Sequence, residues 1–249
     1  MTRTGLVVSA FSNPPELDTA VSYASLKEVA ARRLPDLFRI HTPARIVAFG
    51  RQDTHSPGYE EAVAACEEEG FTPVVRLAGG RAAVFHEATL AFSWQTRTTQ
   101  PKLGISERFE FITGVLVAAL GSLGFEAEVG EIPGEYCPGR YSIHVSGQKV
   151  IGIGQRLVDG AAHVGGVIVV DDRTSINRVL DPVYRALDLT WEPGVTGALA
   201  DHRPINTSEV ASQVIAELGK RLDLFDLALP ADLISQAALL VPNHQPAGR

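Results

Sequence analysis

The chain has 249 residues, 45% apolar and 20% charged, with a formal net charge of −7. That length supports one large domain able to bury roughly 70–75% of its unfolded surface. The acidic balance argues against a broad nucleic-acid surface, no apolar run reaches the roughly 20 residues that span a bilayer, and two cysteines are too few for a disulfide scaffold or a cysteine-based zinc site.

The opening stretch "MTRTGLVVSAFSNPPELD" lacks the apolar core and small-residue cleavage site of a signal peptide, so a reducing cytoplasm is the expected compartment. Pro14 and Pro15 punctuate the start of a helix in which Leu17, Val21, Leu26 and Val29 follow helical spacing. "LFRIHT" and "RIVAFG" read as strands, and "GYEEAVAACEEE" as a helix closed by Gly70. Cys66 shares a face of that helix with Val63 and reads as a small buried hydrophobe. "FTPVVRL", "RAAVF" and "ATLAFSW" read as three further strands, the last two meeting at His86.

The clearest helix covers 106–123, with Phe109, Ile112, Leu116 and Leu120 on one stripe and Ser106 as its expected cap. "FEAEVGEI", "YSIHVSG", "QKVIGIGQRLV" and "AAHVGGVIVVD" follow as strands, with a Ser-Gly hairpin turn between the second and third. A short helix is expected at 178–187 and an amphipathic one over "TSEVASQVIAELGKRL", capped by Thr207 or Ser208. Another is expected near 230–240, and then the tail "PNHQPAGR", predicted disordered. Short turns join neighbouring strands, so the expected fold is α+β: a mixed, mainly antiparallel sheet with helices packed against it. The expected division is a catalytic unit at 1–205 and a helical extension at 206–249.

Two stretches carry chemistry. In "RLAGGRAAVFH", Gly79 and Gly80 read either as a tight hairpin turn or as backbone that approaches a ligand oxygen. His86 beside Glu87 reads as a base with its orienting carboxylate or as a structural histidine. In "GEYCPGRYSIHVSGQKVIGIGQR", Cys137 precedes a proline that forces extended backbone before it. A lone thiol is inert or, with a cation such as Arg140 or Lys149 beside it, a nucleophile. Strict alternation puts Lys149 on one face with Ile151 and Ile153, and Val150, Gly152 and Gly154 on the other; a bulge would break that pattern. The G-x-G here has neither a third glycine in register nor a following helix, so it is no dinucleotide fingerprint.

Together, "VVRLAGGRAAVFHEATLAFSW", "YCPGRYSIHVSGQKVIGIGQR" and "HVGGVIVVD" resemble the lipoate–protein ligase and octanoyl/lipoyl transferase superfamily over roughly residues 20–220. The Cys-Pro-Gly element before the lysine resembles its cysteine-dependent transferase branch, as does "WEPGVTGALAD". The resemblance implies a biotin/lipoate ligase-like, class II synthetase-like fold. It implies transfer of an octanoyl or lipoyl group through a Cys137 thioester, with Lys149 catalytic. It places Arg76, Gly79, Gly80, Ala82, Val84, His86, Gly152, Gly154 and His163 at the acyl substrate. The implied partners are an acylated glycine cleavage H protein or acyl carrier protein as donor and lipoyl domains of 2-oxoacid dehydrogenases as acceptors, with neither nucleic acid nor membrane. No cofactor or metal is implied; the alternative, an ATP-dependent ligase working through an acyl-adenylate, would need ATP and magnesium. A third reading is an acyl or lipoyl-domain binding protein without catalysis. Two positions depart from the transferase pattern: Ala78 stands where Ser or Thr is common, and Ser142 where an acid is expected.

Overall fold

The structure is a computed structural model that describes residues 2–247. Its strands are β1 (Arg3–Val7), β2 (Asp36–His41), β3 (Ile46–Phe49), β4 (Thr72–Val75), β5 (Ala83–Phe85), β6 (Thr89–Arg97), β7 (Ala127–Val129), β8 (Ile143–Val145), β9 (Gln148–Val158), β10 (Ala161–Val169) and β11 (Asp223–Asp226). Its α-helices are α1 (Leu17–Ala30), α2 (Tyr59–Glu68), α3 (Ile105–Ser122), α4 (Arg173–Ala186), α5 (Thr207–Gly219) and α6 (Ala231–Ala238). Eight strands form one sheet in the order β11-β1-β2-β6-β10-β9-β8-β7, and β4-β3-β5 form a second. In the large sheet β1 runs parallel to both β2 and β11, and the remaining pairs are antiparallel. This is the expected α+β arrangement.

Alternation along the strands sorts the two faces of the large sheet. Phe38, Ile40, Leu90, Phe92, Val164 and Ile168 project to one side and form a core with Ile112, Leu116 and Leu120 of α3 and Val210 and Val214 of α5. Burial of such side chains stabilises the fold by roughly 1.5–3 kcal/mol each. The intervening residues Arg39, His41, Ala91, Ser93, His163 and Gly165 lie on the opposite face. There α1 crosses, packing Ala20, Val21 and Leu26 against Leu37 and, from α6, Leu233. The small sheet has its own core with α2 and α4, including Val47, Phe49, Cys66, Val84, Val179 and Val183. Cys66 is fully buried in it, as expected.

Several expectations are corrected. The 178–187 helix begins at Arg173 and runs through Pro182, with Asp172 accepting from the Ser175 N–H at 3.1 Å as its cap. Helix α3 starts after Gly104, so Ser106 lies within its first turn rather than capping it. The cap of α5 is Asn206, which shares a reciprocal capping box with Glu209. The segment 206–249 holds two α-helices as expected, but it also supplies the edge strand β11 to the large sheet, and α5 packs on α3. The tail is not disordered over its described part. Val241–His244 form a 3-10 turn, the buried His244 donates to the Val75 carbonyl at 2.9 Å, and Gln245 donates to Glu16 at 3.0 Å. Gly248 and Arg249 lie outside the described residues.

Candidate active site

The glycine block does not make a hairpin. Strands β4 and β5 both pair with β3, one on each side, so residues 76–82 cross over β3 as a loop. Gly80 adopts φ +103, a region that favours glycine. A Cβ there would fall 2.3 Å from Arg76 Nη2 and 2.9 Å from Cys137 Sγ, whereas one on Gly79 would meet nothing within 4 Å. The loop therefore runs directly under the thiol. Asp53 anchors it, accepting from the Gly50 N–H at 2.9 Å and pairing with Arg81 at 3.3 Å.

Cys137 also has positive φ, at 44°, and its backbone is fixed from outside its own loop. Its N–H donates to the Tyr184 hydroxyl at 2.8 Å, and that hydroxyl donates to the Ala82 carbonyl at 3.0 Å. Tyr184 comes from the part of α4 that lies beyond Pro182. Arg76 Nη2 donates to Cys137 Sγ at 3.1 Å and to the Arg81 carbonyl at 2.7 Å. Burial pushes the thiol up, but the Arg76 and Lys149 charges and the hydrogen bonds from Arg76 and the Arg81 backbone outweigh it and hold it below the usual thiol value. Arg140, the other cation near Cys137 in sequence, lies instead beside the Tyr141 ring.

Lys149 reaches the site through a bulge. Strands β8 and β9 pair Ile143 with Ile151 and His144 with Lys149, so Val150 is an extra residue on β9. The inserted residue reverses the phase of alternation before it. Lys149 consequently shares a face with Gly152, where a Cβ would lie 3.5 Å from Lys149 Cε, while Val150 and Ile151 both enter the core. The expected face-sharing of Lys149 with Ile151 and Ile153 is thus overturned. Lys149 is 1% exposed, and its amine donates to the Tyr136 carbonyl at 2.9 Å and the Cys137 carbonyl at 2.8 Å. Glu135 Oε1 stands 3.4 Å away. Burial pulls the Lys149 amine below its usual value, against the opposing pull of Cys137 and Glu135. The segment "WEPGVTGALAD" braces this point: Thr196 bridges Lys149 and Gly197 donates to its carbonyl at 2.9 Å.

A cavity of about 480 Å³ opens from these groups across the polar face of the large sheet. Its size suits a small acyl ligand. Arg76, Gly79, Gly80, Cys137, Lys149, Gly152, Gly154 and His163 all line it. Gly154 lies opposite Gly165 on β10, and a Cβ on Gly154 would meet Ala78 at 2.8 Å, so side chains there would close the floor. His163 accepts from Gln95 Nε2 at 3.1 Å through Nδ1, and burial lowers it to about 4, so it is neutral at pH 7. The inner wall includes Asp18 and His41, with Asp18 ion-paired to Arg39.

Three residues placed at the substrate by resemblance lie elsewhere. On β5 it is Ala83 and Phe85 that line the cavity; Ala82 and Val84 face the small core. His86 is fully buried at the crossover from the small sheet to the large one, where its Nδ1 accepts from the Ala88 N–H at 3.2 Å. Its partner Glu87 points away, to Arg45. The residues absent from the sequence reading are Glu135, Tyr184 and Arg76's role beside the thiol. Glu135 shows a signal in retrospect: an acid is expected at 142, and the Ser142 hydroxyl there donates to Glu135 at 2.7 Å.

The architecture is that of the lipoate–protein ligases. A lipoate-protein ligase A bound with ATP superposes with a TM-score of 0.76 at 17% identity, covering 96% of this chain and 94% of that one. A putative lipoate protein ligase from T. acidophilum with bound lipoic acid gives 0.75 at 17% identity, covering 96% and 95%. Residues 14–218 match the lipoyl protein ligase A/B catalytic domain, and the chain belongs to that family. Among curated relatives, an octanoyl-[GcvH]:protein N-octanoyltransferase of Geobacillus kaustophilus is 34% identical over 145 residues, 58% of this chain and 51% of that protein. Another from Bacillus velezensis is 31% identical over 204 residues, 80% and 71%. A lipoyl-[GcvH]:protein N-lipoyltransferase of Listeria monocytogenes is 26% identical over 201 residues, 75% and 72%. The chain thus spans about half to seven-tenths of the length of these relatives. Among the described residues, no helix is long and apolar enough to cross a membrane.

Proposed function

We propose that this protein is an acyltransferase that carries an octanoyl or lipoyl group from an acylated donor protein to a lysine of a lipoyl domain, through a thioester on Cys137. The names of the relatives favour the glycine cleavage H protein as donor, with acyl carrier protein as the second candidate. The acceptors are lipoyl domains of 2-oxoacid dehydrogenases, and the cell compartment is the cytoplasm. The observation that carries the reading is the thiol itself. Cys137 lines an acyl-sized cavity, with a guanidinium 3.1 Å from its Sγ and the buried Lys149 on its carbonyl.

In the first half-reaction the Cys137 thiolate attacks the donor's acyl carbonyl. A carbon–sulfur bond forms, the bond from the carbonyl carbon to the donor's lysine nitrogen breaks, and the departing amine takes up a proton from solvent, matching the one given up when the thiol ionised. In the second, the acceptor lysine's neutral amine attacks the thioester, a carbon–nitrogen bond forms, the carbon–sulfur bond breaks to regenerate the thiolate, and the proton lost by the amine passes to solvent. Arg76 stabilises the thiolate and, lining the cavity beside it, is the donor we assign to the negative charge that grows on the carbonyl oxygen; removing such a donor costs on the order of 3 kcal/mol. Lys149, which the resemblance implies is catalytic, holds the Tyr136 and Cys137 carbonyls and so fixes the loop that presents the thiol. The glycine floor leaves room for the acyl chain.

The test is mass spectrometry after mixing with octanoylated H protein, without nucleotide. Wild type gains one octanoyl group on Cys137 and passes it to a lipoyl domain, and Cys137→Ala gains none. An acyl-enzyme in Cys137→Ala overturns the assignment. Release of pyrophosphate from ATP with free lipoate would point to the ligase reading, and donor binding without turnover to a binding protein.

A further inference from the structure

The acyl-transfer chemistry uses a thiol, a guanidinium and a backbone loop, yet a fully buried carboxyl group at the site belongs to none of them. The Glu135 side chain is 0% exposed and the Lys149 side chain 1%. A carboxylate in such a place is retained only with partners that compensate it. Its Oε1 accepts from the Gly139 N–H at 2.8 Å and the Ser142 hydroxyl at 2.7 Å, and faces Lys149 Nζ at 3.4 Å.

The surroundings of Lys149 Nζ fit one protonation state. Three oxygens face it: the Tyr136 carbonyl, the Cys137 carbonyl and Glu135 Oε1. An ammonium has three N–H donors to meet them; a neutral amine has two and would turn a lone pair toward an acceptor. The face of the Tyr136 ring, 5.0 Å from Nζ, adds a fourth cation-favouring contact. The other charged or titratable groups at the site lie on the strand β4 side, on the glycine loop and on α4. Arg76 opposes a second positive charge, Arg81 is engaged by Asp53, and the buried Tyr184 is held neutral. Cys137 offers a negative charge only when it is already ionised. Glu135 is therefore the one carboxyl group that touches Lys149 among the described residues.

We propose that Glu135 is a positioning residue that keeps Lys149 an ammonium and, through that charge, keeps Cys137 a thiolate. Glu135 touches neither thiol nor cavity; it acts from behind the lysine. The consequence for catalysis rests on the acyl-transfer reading, but the protonation states do not, and alkylation of the thiol reads them without any acyl donor.

The experiment measures the pH profile of iodoacetamide alkylation at Cys137, followed by peptide mass so that Cys66 is counted separately. It compares wild type, Glu135→Gln, Lys149→Met and the double variant. Glutamine keeps an oxygen for Gly139 and Ser142, removes the charge, and puts an NH2 where the buried Oε2 now has no hydrogen-bond partner. Each single variant is expected to raise the midpoint by roughly one to three pH units, as loss of a cation beside a thiol does, and the double variant no further than the larger single shift. An unchanged or lowered midpoint in Glu135→Gln, or shifts that add in the double variant, overturns the proposal. Should Glu135→Gln fail to fold, nitrogen-15 NMR of Cys137→Ala decides the matter with Glu135 intact. A Lys149 ammonium at pH 8 is the expected result, and a neutral amine overturns the proposal.

Discussion

Replacing Gly80 by alanine tests the geometry at the thiol more sharply than removing the thiol. The new methyl carbon lands 2.3 Å from Arg76 Nη2 and 2.9 Å from Cys137 Sγ. The backbone at φ +103 adds strain on the order of 1–3 kcal/mol for any residue but glycine. Arg76 is the softer neighbour, so its guanidinium swings away and the 3.1 Å hydrogen bond to sulfur is lost. A hydrogen bond to a charged group contributes about 1.5–3 kcal/mol, which corresponds to roughly a ten- to hundredfold slower formation of the acyl-enzyme. The assay is quenched-flow mass spectrometry at saturating octanoylated donor. Gly121→Ala on α3, which does not line the cavity, is the control, because its added methyl meets nothing within 4 Å and the change is expected to stay within about twofold. Equal rates for the two variants would refute the argument that the loop is shaped around the Arg76–Cys137 contact.

Arg76→Met removes the cation that most offsets burial at Cys137, so the thiol's alkylation midpoint moves to higher pH and acylation at pH 7 slows. An unmoved midpoint would assign the depressed thiol to Lys149 alone. Tyr184→Phe leaves the Cys137 N–H and the Ala82 carbonyl without their shared hydroxyl; a loss of about 1–3 kcal/mol in denaturant unfolding is expected, with slower acylation. His163 sits at about 4 in the folded chain against an ordinary value of 6.5, because burial disfavours its charge. The unfolded chain therefore takes up the proton first, and stability falls by about 3 kcal/mol as pH drops from 6.5 to 4. His163→Gln should flatten that part of a chemical-denaturation series across pH, and an unchanged slope would show that other groups set it.

The sequence reading was strongest where one periodicity governed a whole element. The stripe of α3, the cysteine-bearing α2 and the Ser146–Gly147 hairpin, both of whose turn residues have positive φ, all form as expected. Reading failed where a local pattern is set from a distance. Strand β11 is a four-residue edge strand, half exposed, that exists through its pairing with β1, and neither strand shows a clean alternation. Helix α4 holds Pro182 in its interior and is sustained by packing against α2 in the second core. The terminal segment is polar, yet His244 and Gln245 find partners on Val75 and Glu16, far away along the chain. At the site, the thiol, lysine, arginine and glycine loop were legible as motifs. Ala82, Val84 and His86 were misplaced because a three-residue strand turns every second side chain away from the cavity. Glu135 and Tyr184 went unseen because their roles depend on contacts that no spacing encodes.

The extra residue at Val150 has a meaning for sequence comparison. The spacing from Lys149 to the glycines that follow is easily treated as a signature of the site, but one residue of it is the bulge. Loss of Val150 would restore regular pairing and leave the lysine opposite His144, on the face it shares with Gly152, because the missing residue and the missing bulge cancel in phase. A relative with a one-residue gap there would keep the lysine on the cavity face although its spacing to the following glycines is one shorter, so a motif search that fixes that spacing would set aside chains with the same geometry.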